Sequence, residues 1–182
     1  MRKFYSIIIL LFFCIPFSLN AQKLKLDIRV LCYHNIKKKT KYQYDVSYDN
    51  FKKQMQLIIK SGYQSLKATE LVNLLKKIKK GYRPKHRKFV AITFDDGNYG
   101  VYQYAFPLMK KLKLKGTIYI YPTIINARQK RRKRTGKKTA YMMWSEIKRV
   151  ISHPLFELGA HSFYHPNLTK ESKRGLKLQI VH

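Results

Sequence analysis

The 182-residue sequence predicts an α/β fold in which parallel strands are joined by crossover helices. Three observations carry that prediction. Short apolar runs rich in β-branched and aromatic residues alternate with stretches whose apolar residues recur at helical spacing. That rhythm of strand, helix, strand is the signature of parallel strands. The run Phe89-Val90-Ala91-Ile92 is apolar without interruption, as a buried core strand requires. Two of the predicted strands end in side chains able to do chemistry, Asp95-Asp96 and His161 with His165, and parallel folds gather such ends on one face.

Taken in order, Met1-Arg2-Lys3 precedes an apolar run from Phe4 to Leu19, interrupted by Pro16 and followed by Asn20-Ala21. A charged start, a short apolar core and a small residue at a plausible cut site read as a secretory signal over 1–21, leaving one domain over 22–182. A membrane anchor fits less well, because the run is short for a span and Pro16 breaks it. Lipid attachment at Cys14 is disfavoured by the bulky Phe13 before it. If cleavage follows Ala21, Cys32 is the sole remaining cysteine, so no internal disulfide is available and the core must hold the fold.

Leu26 to Tyr33 reads as the first strand and delivers Tyr33-His34-Asn35 to its C-terminal end. Ser47 is placed to cap a helix running to about Lys60, with Phe51, Met55, Ile58 and Ile59 on one face and Gly62 beyond its end. Leu71, Leu74, Leu75 and Ile78 mark a second helix, stopped by Gly81 and Pro84. Phe89 to Phe94 is the next strand, leading into Asp95-Asp96-Gly97. Asn98 to Leu114 is helical in pattern, with Pro107 either kinking it or starting a second helix. Thr117 to Tyr121 is a strand ended by Pro122. The basic run Arg128 to Lys138 has no apolar periodicity and is expected as a mobile loop. Trp144 to Ile151 reads as a short helix and Phe156 to Ala160 as a strand that runs directly into His161-Ser162-Phe163-Tyr164-His165-Pro166.

The pair Asp95-Asp96 is the chemical focus. Taken alone, Asp-Asp-Gly is an ordinary turn. Two adjacent carboxylates at the end of a buried strand nevertheless repel unless a cation or a proton separates their roles. Two histidines four apart can share a helix face as in zinc proteases, but that pattern needs a Glu directly after the first His, where Ser162 stands, and Pro166 suits a helix interior poorly. Both histidines are therefore expected on a tight turn after a strand. Two imidazoles and one carboxylate make a three-ligand site with a position open to water, which suits catalytic zinc and also accepts other first-row ions. The other carboxylate is then free to act as a base. His34, at the end of the first strand, is expected on the same face, where either a site role or a structural hydrogen bond would account for it.

These residues resemble the polysaccharide deacetylases that share the nodulation-factor deacetylase domain, carbohydrate esterase family 4. Thr93-Phe94-Asp95-Asp96-Gly97 matches the first motif of that family and His161-Ser162-Phe163-Tyr164-His165-Pro166 the second. Val30-Leu31-Cys32-Tyr33-His34, Gly116-Thr117-Ile118-Tyr119-Ile120 and Tyr141-Met142-Met143-Trp144 are similar to the exported subgroup that includes poly-β-1,6-N-acetylglucosamine deacetylases. The resemblance spans roughly Val30 to Leu168.

It implies a distorted (β/α) barrel of the polysaccharide deacetylase type. It implies Asp95 as general base, with Asp96, His161 and His165 holding a divalent metal, zinc before other ions. The implied reaction removes N-acetyl groups from an exported or cell-envelope polysaccharide, giving acetate and a free amino sugar. The family motifs that follow the His pair, an Arg segment orienting the base, an Asp and Trp segment lining the acetate pocket and a late His acting as acid, find no match. Ile180-Val181-His182 arrives too early to be the last of these. The resemblance therefore implies a domain incomplete at its C-terminus, and the alternative expectation is a weakly active or inactive relative that binds glycan or anionic envelope polymer. A metal phosphatase is less well supported, since no phosphate-cradling glycine loop is present.

The formal charge of +30 sets the remaining expectation. Such an excess attracts anionic polymers, and nucleic acid is the usual inference. Export argues against nucleic acid; an anionic envelope surface contacted through Arg128 to Lys138 accounts for the excess, and so, equally, does a composition rich in lysine, isoleucine and tyrosine throughout, with that run a solvated loop.

Overall fold

The computed structural model describes residues 25–136 and 140–180. The segment read as a signal lies outside the described residues. Strands β1 (Asp27–Tyr33), β5 (Lys88–Phe94), β6 (Gly116–Ile120) and β7 (Phe156–Ala160) form a parallel sheet in that order, joined by β4 (Gln64–Leu66) on β5. Each was expected except β4. Its three residues are too few to show a period-2 pattern. The same applies to β2 (Asn35–Lys37) and β3 (Asp45–Ser47), which pair with each other beside the main sheet.

β5 is the centre of the sheet. Every residue from Phe89 to Phe94 is buried, in keeping with its unbroken apolar run. β1 pairs along its whole length, Asp27 with Lys88 through Tyr33 with Phe94. Its other edge is divided, β4 taking Phe89 to Ala91 and β6 taking Thr93 and Phe94.

Helices cover the sheet. In α1 (Tyr48–Lys60), Ser47 Oγ accepts from the Asn50 N–H at 3.2 Å, and Phe51, Met55 and Ile58 are buried. Ile59, expected on the same stripe, is exposed, because its neighbour Ile58 already occupies the edge of the inward face. α2 (Ala68–Lys79) buries Leu71 alone and leaves Leu75 exposed, so its stripe is narrower than expected. The Asn98 to Leu114 segment contains a π-helical turn over Val101–Ala105 followed by α3 (Phe106–Lys111), with Pro107 in the first turn of α3. Proline is tolerated there because the first N–H groups of a helix have no intrahelical partner. The π turn packs on β2 at Gly100, where a Cβ would lie 2.0 Å from the Ile36 carbonyl oxygen.

One expectation is corrected. The basic run beginning at Arg128 is not a loop but the second half of α4 (Pro122–Thr135). Arg, Lys and Gln are good helix formers, so the backbone can coil without an apolar stripe to announce it. Lys137 and Lys138 lie outside the described residues. After α5 (Trp144–Ile151) and β7, the chain turns through His161 to Pro166 and ends its described part in α6 (Lys173–Ile180).

Candidate active site

The acidic pair leaves the C-terminal end of β5 and the histidines follow the C-terminal end of β7, with β6 between them. Parallel pairing aligns those ends. The Asp95 N–H donates to the Tyr33 carbonyl at 2.8 Å and the His161 N–H to the Ile120 carbonyl at 2.9 Å, so both residues begin as extensions of the sheet ladder.

The backbone then turns sharply. Asp96 has φ of 69° and Gly97 of 70°, and a Cβ on Gly97 would lie 2.9 Å from Ile120 Cγ2 and 3.1 Å from Ile125 Cδ1. Only glycine meets both conditions without strain. Gly97 O accepts from the Met142 N–H at 3.0 Å, and the Tyr99 N–H donates to Ala140 O at 2.7 Å, which ties the turn to the segment before α5. On the other strand, Ser162 and His165 have φ of 62° and 60°. Three of the four non-glycine residues with positive φ among the described residues thus belong to this one face: Asp96, Ser162 and His165. Such backbone persists where surrounding contacts enforce it, and it clusters at functional sites.

These turns bring three ligating atoms together. Asp96 Oδ1 lies 3.6 Å from His161 Nε2 and 3.4 Å from His165 Nε2, and the two Nε2 atoms are 3.0 Å apart. Asp96 Oδ1 is buried and has no hydrogen-bond partner. A buried carboxylate oxygen without a donor is strongly destabilising unless a cation satisfies it. The donors of a tetrahedral zinc site, about 2.0–2.2 Å from the ion, stand about 3.3–3.6 Å from one another. Both carboxylate–imidazole distances fall in that range and the two Nε2 atoms stand slightly closer, so the residues fit a divalent ion by donor type and by the orphaned oxygen.

Asp95 stands beside this trio but outside it. Its Oδ2 is 4.0 Å from His161 Nε2 and accepts from Cys32 Sγ at 3.3 Å. The side chain keeps 18% of its surface exposed, so a water can reach it. Cys32 reaches it because β1 pairs with β5 in register, Cys32 opposite Thr93. Although Cys32 is exposed overall, desolvation by the surrounding protein, then the Asp95 carboxylate, push its thiol above its ordinary range. His34 joins Cys32 and Asp95 in a cluster whose ligating atoms all lie within 4.8 Å of one another. Tyr121, just after β6, lays its ring 4.9 Å from that of His165, and burial followed by its hydrogen bond with Tyr141 raises its pKa.

The histidine turn is held by residues that sequence patterns did not single out. The buried Gln179 of α6 accepts from the Phe163 and Tyr164 N–H groups at 3.2 and 2.8 Å. Ser162 Oγ accepts from the His165 N–H at 3.0 Å, and Thr123 Oγ1 donates to Phe163 O. His161, Ser162, His165, Pro166 and Gln179 line a groove of about 350 Å³.

The pattern of the polysaccharide deacetylase family matches residues 82–182, more than half of the chain. The chain belongs to the polysaccharide deacetylase family. YxkH of Bacillus subtilis (strain 168) is 35% identical over 91 residues, covering 50% of this chain and 30% of its own. The Streptococcus pyogenes deacetylase PplD, solved in complex with acetate, superposes with a TM-score of 0.68 at 22% identity, over 85% of this chain and 65% of PplD. BC0361, a polysaccharide deacetylase from Bacillus cereus, superposes with a TM-score of 0.58 at 26% identity, over 82% of this chain and 43% of its own. The chain thus spans less than two thirds of the length of these relatives. The likeness bears out the (β/α) barrel class expected from the motifs, five parallel strands of which are among the described residues.

Proposed function

We propose that this polysaccharide deacetylase family member hydrolyses N-acetyl groups of an exported or cell-envelope polysaccharide with the help of a divalent metal. The observation that carries the reading is the buried, unpartnered Asp96 Oδ1 facing two imidazole nitrogens, with Asp95 next to it at the open side. Asp96, His161 and His165 would hold the ion. Two imidazoles and a carboxylate suit zinc ahead of the harder ions, which favour all-oxygen sets. When bound, the ion supplies Lewis acidity to the amide carbonyl.

The chain's own residues do the rest. Asp95, exposed enough to meet water and free of the ligand set, takes a proton from the water that attacks the carbonyl carbon. The C–N bond then breaks to give acetate and an amine, which takes up a proton as it departs. Proton transfer of this kind is typically worth about 10² to 10⁴ in rate. The Ser162 and Gln179 hydrogen bonds hold the imidazoles where their Nε2 atoms converge. Tyr121 walls the site with an apolar ring beside His165.

Export rests on the Met1 to Ala21 segment. α4 starts directly after β6, on the same face as the site, and its Lys130, Arg131 and Arg134 are exposed. That favours an anionic envelope surface as a further partner, bound less tightly as salt rises. Acetate release from an N-acetylglucosamine oligomer tests the reading. Turnover should disappear with a chelator and return with zinc. Asp95→Asn should lower the rate by about 10² to 10⁴ while keeping the metal held by Asp96, His161 and His165. Full activity in that variant would sink the assignment of the base. Glycan binding with no acetate release from metal-loaded protein would turn the reading toward a non-catalytic glycan-binding protein.

A further inference from the structure

A second group of metal-ligating side chains sits against the first, and the reaction proposed above leaves its thiol and imidazole unused. β1 is extended, so residues two apart share a face. Tyr33 points into the core, where it is 8% exposed, while Cys32 is exposed and His34 half-buried on the opposite side. The register of β1 on β5 brings Asp95 beside both. A sulfur, an imidazole nitrogen and a carboxylate oxygen come within 4.8 Å of one another, near enough to close on one ion. This donor set differs from the first in kind. A thiolate is soft and selects zinc and similar ions over magnesium or calcium.

We propose that Cys32, His34 and Asp95 form a second divalent-metal site, selective for thiophilic ions such as zinc and filled after the Asp96, His161 and His165 site. Binding replaces the S–H bond of Cys32 by a sulfur–metal bond and releases one proton to solvent. The second site fills later because Cys32 is exposed and His34 only half-buried, whereas the first set holds a buried oxygen with no other partner. Asp95 is shared between two tasks. With the second ion bound, its carboxylate is a ligand and no longer a proton acceptor. Zinc would therefore activate at the first equivalent and inhibit at the second, an effect that rests on the function proposed above. The second binding event does not.

Cobalt titration of the full metal-stripped chain separates the two sites, because the first contains no sulfur. Cobalt bound to a thiolate gives an intense charge-transfer absorption in the near ultraviolet that imidazole and carboxylate ligands do not. We expect this absorption to grow only with the second equivalent, and zinc binding to reach two equivalents by equilibrium dialysis. Cys32→Ser should lose the absorption and the second equivalent while keeping the first. His34→Gln, with its thiol intact, should weaken the second equivalent at least tenfold. Magnesium should neither displace the second ion nor inhibit. A stoichiometry of one in the wild-type chain overturns the proposal. So does charge-transfer absorption that survives in Cys32→Ser, which would assign it to Cys14, or unchanged second-site affinity in His34→Gln. Two equivalents with the expected absorption but no acetate release even at one equivalent would uphold the second site and reject the deacetylase reading.

Discussion

The two strand ends that make the site are built in different ways. The Asp95-Asp96-Gly97 turn is set by packing: it leaves a strand buried from Phe89 to Phe94, and Gly97 sits against Ile120 and Ile125 with no room for a methyl group. The His161 to His165 turn is set by polar contacts from Gln179, Ser162 and Thr123, and its imidazoles keep 31% and 48% of their side-chain surface exposed. Packing has no tolerance for added volume, whereas a hydrogen-bonded loop can shift and re-form. Asp95 and Asp96 are therefore fixed by the core, and His161 and His165 by a hydrogen-bonded turn.

Gly97→Ala should show the largest effect. It places a Cβ at 2.9 Å from Ile120 on a backbone of φ 70°, so both overpacking and the left-handed conformation count against it. A loss of about 2–4 kcal/mol in denaturant unfolding is expected. A loss below 0.5 kcal/mol would show that the acidic turn yields as readily as the histidine turn, and the contrast would fail.

Gln179→Ala should act on the other half with a smaller and different signature. It removes the acceptor for the Phe163 and Tyr164 N–H groups. Supporting partners of metal ligands are typically worth 10–100-fold in affinity, and about 10-fold weaker zinc binding is expected here, with unfolding changed by about 1 kcal/mol. Gln179→Glu keeps an acceptor oxygen and should recover most of the binding. Weak binding in both variants would mean that helix packing, not the hydrogen bonds, holds the turn.

The smallest effect concerns the base of β7. Burial works to raise the pKa of Glu157, but its hydrogen bonds from Thr69 and Thr117 outweigh it and leave it below its ordinary value. A carboxyl with a depressed folded pKa stabilises the fold above its unfolded value, and that stabilisation is lost as pH falls through the folded pKa. Stability should thus decline as pH drops below about 4.5, and Glu157→Gln should flatten that decline. An unchanged acid limb would show that Thr69 and Thr117 contribute nothing to anchoring the histidine strand.

Much of this was legible in the sequence, and the exceptions share a physical cause. The β5 strand, the Ser47 cap, the divided helix around Pro107 and the turn after β7 all depend on local patterns of apolar period, side-chain cap or proline. α4 escaped because a helix of Lys, Arg and Gln carries propensity but no periodicity. Gln179 and the Cys32 to Asp95 contact escaped because they join residues 15 or more apart in the chain, 63 in the second case, and only the packed sheet brings them together. The ligand set could be proposed from motifs; the orphaned Asp96 oxygen and the second donor cluster could not.

The divided edge of β5 has a consequence for how the protein breathes. β5 is bonded along both edges, by β1 on one and by β4 and β6 on the other, whereas β7 pairs only with β6 among the described residues. Amide hydrogen exchange should therefore be slowest in β5, opening only with global unfolding, and faster in β7 through a partial opening that leaves the centre intact. The two ends of the ligand set would then belong to different cooperative units. A bound ion could leave when the histidine unit opens, at a rate set by that local fluctuation and not by the stability of the whole chain.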